Sequence, residues 1–184
     1  MTQQGCGYVL AMTSRDGSTF RGALNIRTPT RDDAAAILRV RSDAILAKAS
    51  THYDAAILND WIEAGDLGRT AKKLSDPDII ALVAVTGDAM IGFGMVARSR
   101  HELQALYVTP NPVGRVGQAL LAALEARAFQ ALPFLTLDAS LNAEEFYRAN
   151  GYFAEGRKIH VSSHGGVVSQ VVQMRKTRPD LRCS

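Results

Sequence analysis

The spacing of apolar and polar positions changes several times along the chain, and each change predicts an element. The first regular signal is Ala23-Leu24-Asn25-Ile26-Arg27, a short strand ended by Pro29. Thr30 then opens a helix: it can cap, Asp33 completes a capping-box pattern, and Asp32 and Asp33 suit the positive helix end. Ile37, Val40, Ala44 and Ile45 fall on one face at helical spacing. A second helix is expected over about 54–64, with Ile57, Trp61 and Ala64 aligned and Gly65 and Gly68 closing it. The near-continuous apolar run Ile79–Val85 reads as a buried strand, Thr86-Gly87-Asp88-Ala89 as a turn, and Met90–Ala97 as the returning strand. Glu102–Val108 is another strand, stopped by Pro110 and Pro112. A helix from Gly114 to about Gln130 puts Val116, Leu120, Leu124 and Ala128 on one face, and Pro133 separates it from the strand Phe134–Asp138. A short helix, Ala143 to Asn150, ends in Gly151, placed for a left-handed C-cap. Residues 153–163 and 167–175 close the pattern as a hairpin through His164-Gly165-Gly166. The order β-α-α-β-β-β-α-β-α-β-β, without internal repeat, is α/β with a mixed sheet.

Length and composition narrow the classes. A chain of 184 residues, 47% apolar and 21% charged, is expected to fold as one domain. Residues 1–21, rich in Gly, Ser, Thr and Gln, read as a flexible extension, and 179–184 as a flexible basic tail around a domain at 22–178. No run approaches 18 consecutive apolar residues, which argues against a membrane span, and the start lacks the positive charge of a secretory signal. Cys6 and Cys183 sit near opposite ends without metal-ligand spacing, so neither a disulfide framework nor a structural zinc site is expected, and the compartment reads as reducing and cytoplasmic. His101, His160 and His164 also lack partners at metal-ligand spacing, so no metal is expected. The net charge of +3 is uneven: residues 1–156 carry 15 basic and 17 acidic side chains, whereas 157–184 carry 6 and 1. That basic end has no aromatic after Phe153, so it reads as a solvated terminus rather than a nucleic-acid surface; a polyanion-binding tail is the rival reading.

Two segments carry the chemistry. In Leu106-Tyr107-Val108-Thr109-Pro110-Asn111-Pro112-Val113-Gly114-Arg115-Val116-Gly117-Gln118 a strand runs through a glycine-containing loop into a helix. Amides at such a helix start can hold phosphate, Gly114 and Gly117 allow close approach, and Arg115 adds charge-assisted bonds. Two glycines tightening a turn is the plainer alternative. The loop is neither a Walker loop nor a dinucleotide fingerprint. The second segment, Leu137-Asp138-Ala139-Ser140-Leu141-Asn142-Ala143-Glu144-Glu145-Phe146-Tyr147-Arg148-Ala149-Asn150-Gly151-Tyr152, places an Asn between a strand and a short helix carrying Phe-Tyr. No Gly-x-Ser-x-Gly elbow accompanies Ser140, which argues against a hydrolase.

Together with Leu106-Tyr107-Val108-Thr109-Pro110, this segment closely resembles the GNAT superfamily of acyl-CoA-dependent N-acyltransferases, over roughly 22–178. The resemblance implies a central, mostly antiparallel sheet of about six or seven strands flanked by about four helices, splayed between strands 102–108 and 134–139. It implies acetyl-CoA as co-substrate, with pantetheine beside Tyr107 and Val108, pyrophosphate on Val113, Gly114, Arg115, Val116, Gly117 and Gln118, and Asn142 on the pantetheine arm. Tyr147 matches the tyrosine that reaches the thioester sulfur. Tyr53 and Trp61, with His52, lie where the family places acceptor-side helices. The terminal strands often pair between subunits in the family, so a homodimer is one expected arrangement.

One departure stands out. The family loop usually reads Gln/Arg-Gly-x-Gly-x-Gly/Ala, whereas Val113-Gly114-Arg115-Val116-Gly117 is one residue shorter and lacks the middle glycine. Fewer amides would then face the pyrophosphate, and Val116 would crowd it. The expected reaction is attack by a primary amine of a small-molecule acceptor, with a peptide N-terminus or lysine as the alternative, on the thioester in a ternary complex, by proximity and by polarisation from an amide such as that of Val108. Strand alternation puts Glu102, Gln104, Leu106 and Val108 on one face, making Glu102 the leading base. A carboxylate near about 4.3 serves an amine near about 10 through a water relay. Proton transfer from a phenol near ~10 to a thiolate near ~8.5 is uphill by roughly 2 kcal/mol, so Tyr147 is expected to donate a hydrogen bond. A non-catalytic acyl-CoA-binding module that kept the fold is the alternative the shortened loop favours.

Overall fold

The computed structural model describes residues 23–49, 62, 65–110, 114–161 and 168–181. Its sheet has seven strands: β1 (Leu24–Arg27), β2 (Ile79–Thr86), β3 (Ala89–Ala97), β4 (Glu102–Val108), β5 (Phe134–Ser140), β6 (Phe153–Val161) and β7 (Val168–Thr177). Their spatial order is β1-β2-β3-β4-β5-β7-β6, antiparallel at every pairing except β4 with β5. Four α-helices are described: α1 (Ala34–Ala49), α2 (Leu67–Leu74), α3 (Val116–Ala128) and α4 (Glu144–Ala149). This is the mixed, mostly antiparallel architecture expected.

The entry to α1 follows the sequence closely. The N–H and hydroxyl of Thr30 both donate to Asp33, at 2.7 and 3.3 Å, across a turn of 3₁₀ helix at Arg31–Asp33. Arg27 clamps the same carboxylate with two bonds of 2.8 Å, tying β1 to this turn. Those donors hold the Asp33 carboxyl down at about 2, the Arg27 bond being the largest cause.

The run over β2 is apolar on consecutive residues because helices cover both faces of the strand. Ile80, Leu82 and Ala84 join the core under α3, while Ala81 and Val83 pack with Ile37 and Val40 of α1. α3 buries Val116, Leu120, Leu121, Leu124 and Ala128, each leucine worth about 1.5–3 kcal/mol of transfer free energy. It lies unusually close to β3, where Gly92 and Gly94 face it. A Cβ on Gly92 would come 2.9 Å from Leu120 and 3.1 Å from the Tyr107 carbonyl. Gly94 is tighter still, against Leu124.

One element differs from expectation. Gly65 and Gly68 were to close a helix at about 54–64, but Gly68 lies inside α2, which Asp66 caps by accepting the Arg69 N–H at 2.6 Å. The expected helix, with His52, Tyr53 and Trp61, lies outside the described residues apart from Ile62. Pro179–Leu181 adds a short 3₁₀ turn after β7. Among the described residues no helix is long and apolar enough to cross a membrane.

Candidate active site

β4 and β5 touch at one end and then part. Their single register pair is Glu102 with Thr136, and Thr136 donates its N–H (2.8 Å) and hydroxyl (3.3 Å) to the carbonyl of His101. His101 makes this stitch with a φ of 52°, uncommon for a residue with a side chain. Beyond that point β5 continues to pair only with β7 on its other edge. The strands diverge because β4 carries an extra residue: its pairing with β3 passes from Leu103 opposite Val96 to Ala105 opposite Met95, leaving Gln104 without a partner position. Such a bulge bends its strand and raises the local twist.

The bulge also corrects the face assignment made from simple alternation. Leu103, Leu106 and Val108 point to the core under α3, whereas Ala105 and Tyr107 pack on the α1 side. Gln104 accepts from Lys73 of α2 at 3.3 Å, so it too faces the α1–α2 layer. Glu102 and Val108 therefore do not share a face. Alternation has a second consequence that matters more. Thr109 donates to the Ile91 carbonyl at 2.9 Å, so the amide of Tyr107 also turns towards β3. Those of Leu106 and Val108 turn the other way, into the gap that β5 has left.

That gap is a cleft of about 490 Å³. Glu102, Tyr107, Val108, Gly117, Asn142 and Tyr147 all line it, so six of the sequence-predicted residues come together. At its mouth, α3 starts at Arg115, an N-cap without a side-chain cap bond, and has no acid in its first turn. The first intrahelical donor is Ala119, to the Arg115 carbonyl at 3.0 Å. The amides of Val116, Gly117 and Gln118 thus face outward at the positive helix end, which suits a pyrophosphate. Gly114, at φ 79°, makes the turn into the helix. A Cβ on Gly117 would touch Val108 (3.5 Å) and Phe146 (3.6 Å), narrowing the cleft mouth. Val116 does not crowd this mouth as expected: its side chain is 2% exposed, buried in the core with Leu120 and Leu121. Arg115 reaches Gln118 at 3.4 Å on the surface. Val113 lies outside the described residues. These outward donors fit the phosphates of a CoA molecule despite the shortened loop.

Tyr147 on α4 is 8% exposed, with edge contacts to Phe146 (ring centroids 5.2 Å) and Tyr152 (5.6 Å). Burial pushes its phenol well above the ordinary tyrosine value, so it stays protonated, and Tyr107 adds to the effect. Glu102 is partly exposed and bridged to Arg100 at 2.8 Å. Asp138 also lines the cleft but is bridged to Lys158 at 2.9 Å.

Several lining residues went unread in the sequence. Arg41, Ala44 and Ile45 of α1 border the cleft, yet Ala44 and Ile45 looked like core-facing positions only. A second cavity, of about 230 Å³, opens between α1, α2 and the strands β3 and β4. Arg41, Gln104, Ala105 and Tyr107 line both cavities. Phe93 stacks on Tyr107 at 5.4 Å in the second one. The one advance signal for α2 was Asp66 as a cap followed by Lys72 and Lys73 in the last turn.

A family model described as Acetyltransferase (GNAT) domain matches residues 51–176. Among solved structures, a GCN5-related N-acetyltransferase from Rhodopseudomonas palustris aligns with a TM-score of 0.75 at 28% identity, covering 94% of this chain and 100% of that one. PaiA N-acetyltransferase from Thermoplasma acidophilum, solved with coenzyme A, aligns with a TM-score of 0.70 at 20% identity over 84% and 99%. YncA from Salmonella typhimurium, solved with its cofactor acetyl-CoA, gives 0.62 at 18% identity over 84% and 93%. Comparison with curated proteins gives no match.

Proposed function

The chain belongs to the GNAT acetyltransferase family and is an N-acetyltransferase that uses acetyl-CoA; from that premise we propose that it acetylates the primary amine of a small-molecule acceptor by direct attack in a ternary complex. The observation that carries this is the gap between β4 and β5, which brings the amides of Leu106 and Val108, the Tyr147 phenol and the uncapped start of α3 to one cleft. Acetyl-CoA supplies the acyl group already activated as a thioester.

The protein's share is holding and polarisation. The amides of Val116, Gly117 and Gln118 bind the pyrophosphate, with Arg115 adding charge. Tyr107 and Val108 offer main-chain pairing to the pantetheine arm, and Asn142 a side-chain bond. An N–H of Leu106 or Val108 polarises the thioester carbonyl as charge develops on its oxygen. The buried Tyr147 phenol donates a hydrogen bond to the departing sulfur. The amine enters from the second cavity, whose shared wall with the cleft lets both substrates meet at Tyr107 without a covalent enzyme intermediate. Glu102 lies six residues from Val108 along the bulged β4, opposite a five-residue span of β3, about 17 Å at strand rise. At that distance it serves as base only through a chain of waters along the cleft, which carries the amine's proton to its carboxylate.

Thermal unfolding with acetyl-CoA, CoA and ATP tests the cofactor site, and thiol release with an amine panel tests transfer. Acetyl-CoA at 100 times its Kd adds about 2.7 kcal/mol, a midpoint rise of roughly 5–10 °C for a domain of this size. A rise with both CoA species and not ATP is expected. No rise at saturating acetyl-CoA would reject the cleft as a working cofactor site and favour a fold kept for another role.

A further inference from the structure

Cations outnumber acids among the described residues that line the second cavity. Arg41 reaches it from α1, and Arg69 and Lys73 from α2. The acid among its described lining residues, Asp66, is already engaged as the cap of α2. Glu102, close by, is bridged to Arg100. Among the described residues Lys73 finds only a neutral acceptor, Gln104, at 3.3 Å. Nη1 of Arg41 is buried and has no hydrogen-bond partner among the described residues, a costly state for a cationic donor. The Lys73 ammonium is easier to deprotonate than usual, first through burial and then through the positive charges of Arg100 and Arg69, with Arg41 a smaller cause and Glu102 opposing. Among the described residues, burial and neighbouring cations thus weigh more on Lys73 than the acid Glu102 does.

Surplus positive charge with an orphan guanidinium donor is complementary to an anion, and a planar guanidinium suits a carboxylate or phosphate. Arg41 also lines the cofactor cleft. An anion seated on Arg41 and Lys73 leaves the rest of a small molecule beside Tyr107, where the amine meets the thioester. Resting on the acceptor entry argued above, we propose that the acceptor carries a carboxylate or phosphate near its primary amine, and that Arg41 and Lys73 bind that group. Diamines, which would place a second ammonium among three cations, are excluded by repulsion.

The test follows thiol release and the thermal midpoint of the acetyl-CoA-saturated protein with matched probes. These are α- and β-amino acids against their carboxamides, O-phosphoethanolamine against ethanolamine, and putrescine. The anionic member of a pair is expected to win by about tenfold or more in kcat/KM, the range of a charge-assisted bond, and the better pair identifies carboxylate or phosphate. Arg41→Gln and, separately, Lys73→Gln should erase that ratio by raising KM, and Arg41→Lys should restore part of it. Arg39→Gln, the same charge change on α1 outside both cavities, should keep the ratio. Equal use of charged and neutral amines, preference for putrescine, or a ratio that survives both substitutions would overturn the proposal while leaving acetyl transfer in place. So would neither turnover nor a midpoint rise with any anionic probe. A missing response to acetyl-CoA alone would instead strike the cofactor site.

Discussion

Replacing Tyr147 with Phe removes one hydroxyl and little else. The ring keeps its edge contacts with Phe146 and Tyr152, so the fold should be nearly unaffected. What goes is the donor proposed for the sulfur that gains charge as the thioester breaks. A hydrogen bond to a charged group contributes about 1.5–3 kcal/mol, and deleting one donor from a preorganised oxyanion site costs ~10²–10³ in kcat. A fall in kcat of about 10- to 300-fold is therefore expected, with CoA affinity changed by less than about threefold. The burial that raises the Tyr147 phenol adds a second expectation. The raised value keeps the donor protonated, so kcat of the wild type should show no descending limb from this group up to about pH 10. The same shift makes complete proton transfer to a thiolate more uphill than for a free tyrosine, which favours a donated bond over a transferred proton. Steady-state thiol release, paired with a CoA titration of each protein, reads both quantities. Unchanged kcat would refute the role. An unchanged kcat with CoA affinity down tenfold would make Tyr147 part of the pantetheine wall and nothing more.

Glu102→Gln should lower kcat/KM at pH 7 by about 10- to 100-fold, within the range of general base catalysis, and the deficit should shrink at higher pH as the acceptor arrives already neutral; a deficit flat from pH 7 to 10 would refute the relay. Asp33→Asn should cost about 1 kcal/mol at pH 7 by urea unfolding, a figure reduced because its partner Arg27 is 39% exposed. The Asp33 carboxyl is lowered from 3.8 to about 2 in the folded chain, so its contribution is complete above about pH 4 and is lost as pH falls towards 2. The gap between wild type and variant should close over that window, and a constant gap would deny the Arg27 pairing. Gly94→Ala should lower stability by about 1–3 kcal/mol, because its new methyl meets Leu124 and the Ala105 carbonyl, the latter at 3.2 Å. Gly156→Ala, with nothing within 4 Å of the added carbon, serves as its neutral control.

Elements were legible where one local cause set them, and the site was legible only where it coincided with such an element. The capping residues of α1, the apolar face of α3 and the glycine after α4 are all short-range signals, and Gly151 indeed turns at φ 84°. The faces of β4 were not legible, because they depend on a bulge whose only mark is the pairing of β4 with β3. Alternation counted from Glu102 passes through Gln104 and comes out one residue wrong, so Tyr107, not Leu106, stands on the α1 side beside the second cavity. The same error conceals the second cavity. Arg41, Arg69 and Lys73 lie up to 32 positions apart and look like ordinary helix-surface charges, and only the packing of α1 and α2 over the bulged strand makes them neighbours. The bulge thus links the two halves of the site. By bending β4 away from β5 it leaves the amides of Leu106 and Val108 facing the gap, and by shifting the register it turns Gln104 and Tyr107 towards the cations. A repair of that register, deleting Gln104, should therefore damage cofactor binding and acceptor selection together, whereas substitutions at Lys73 should touch only the second.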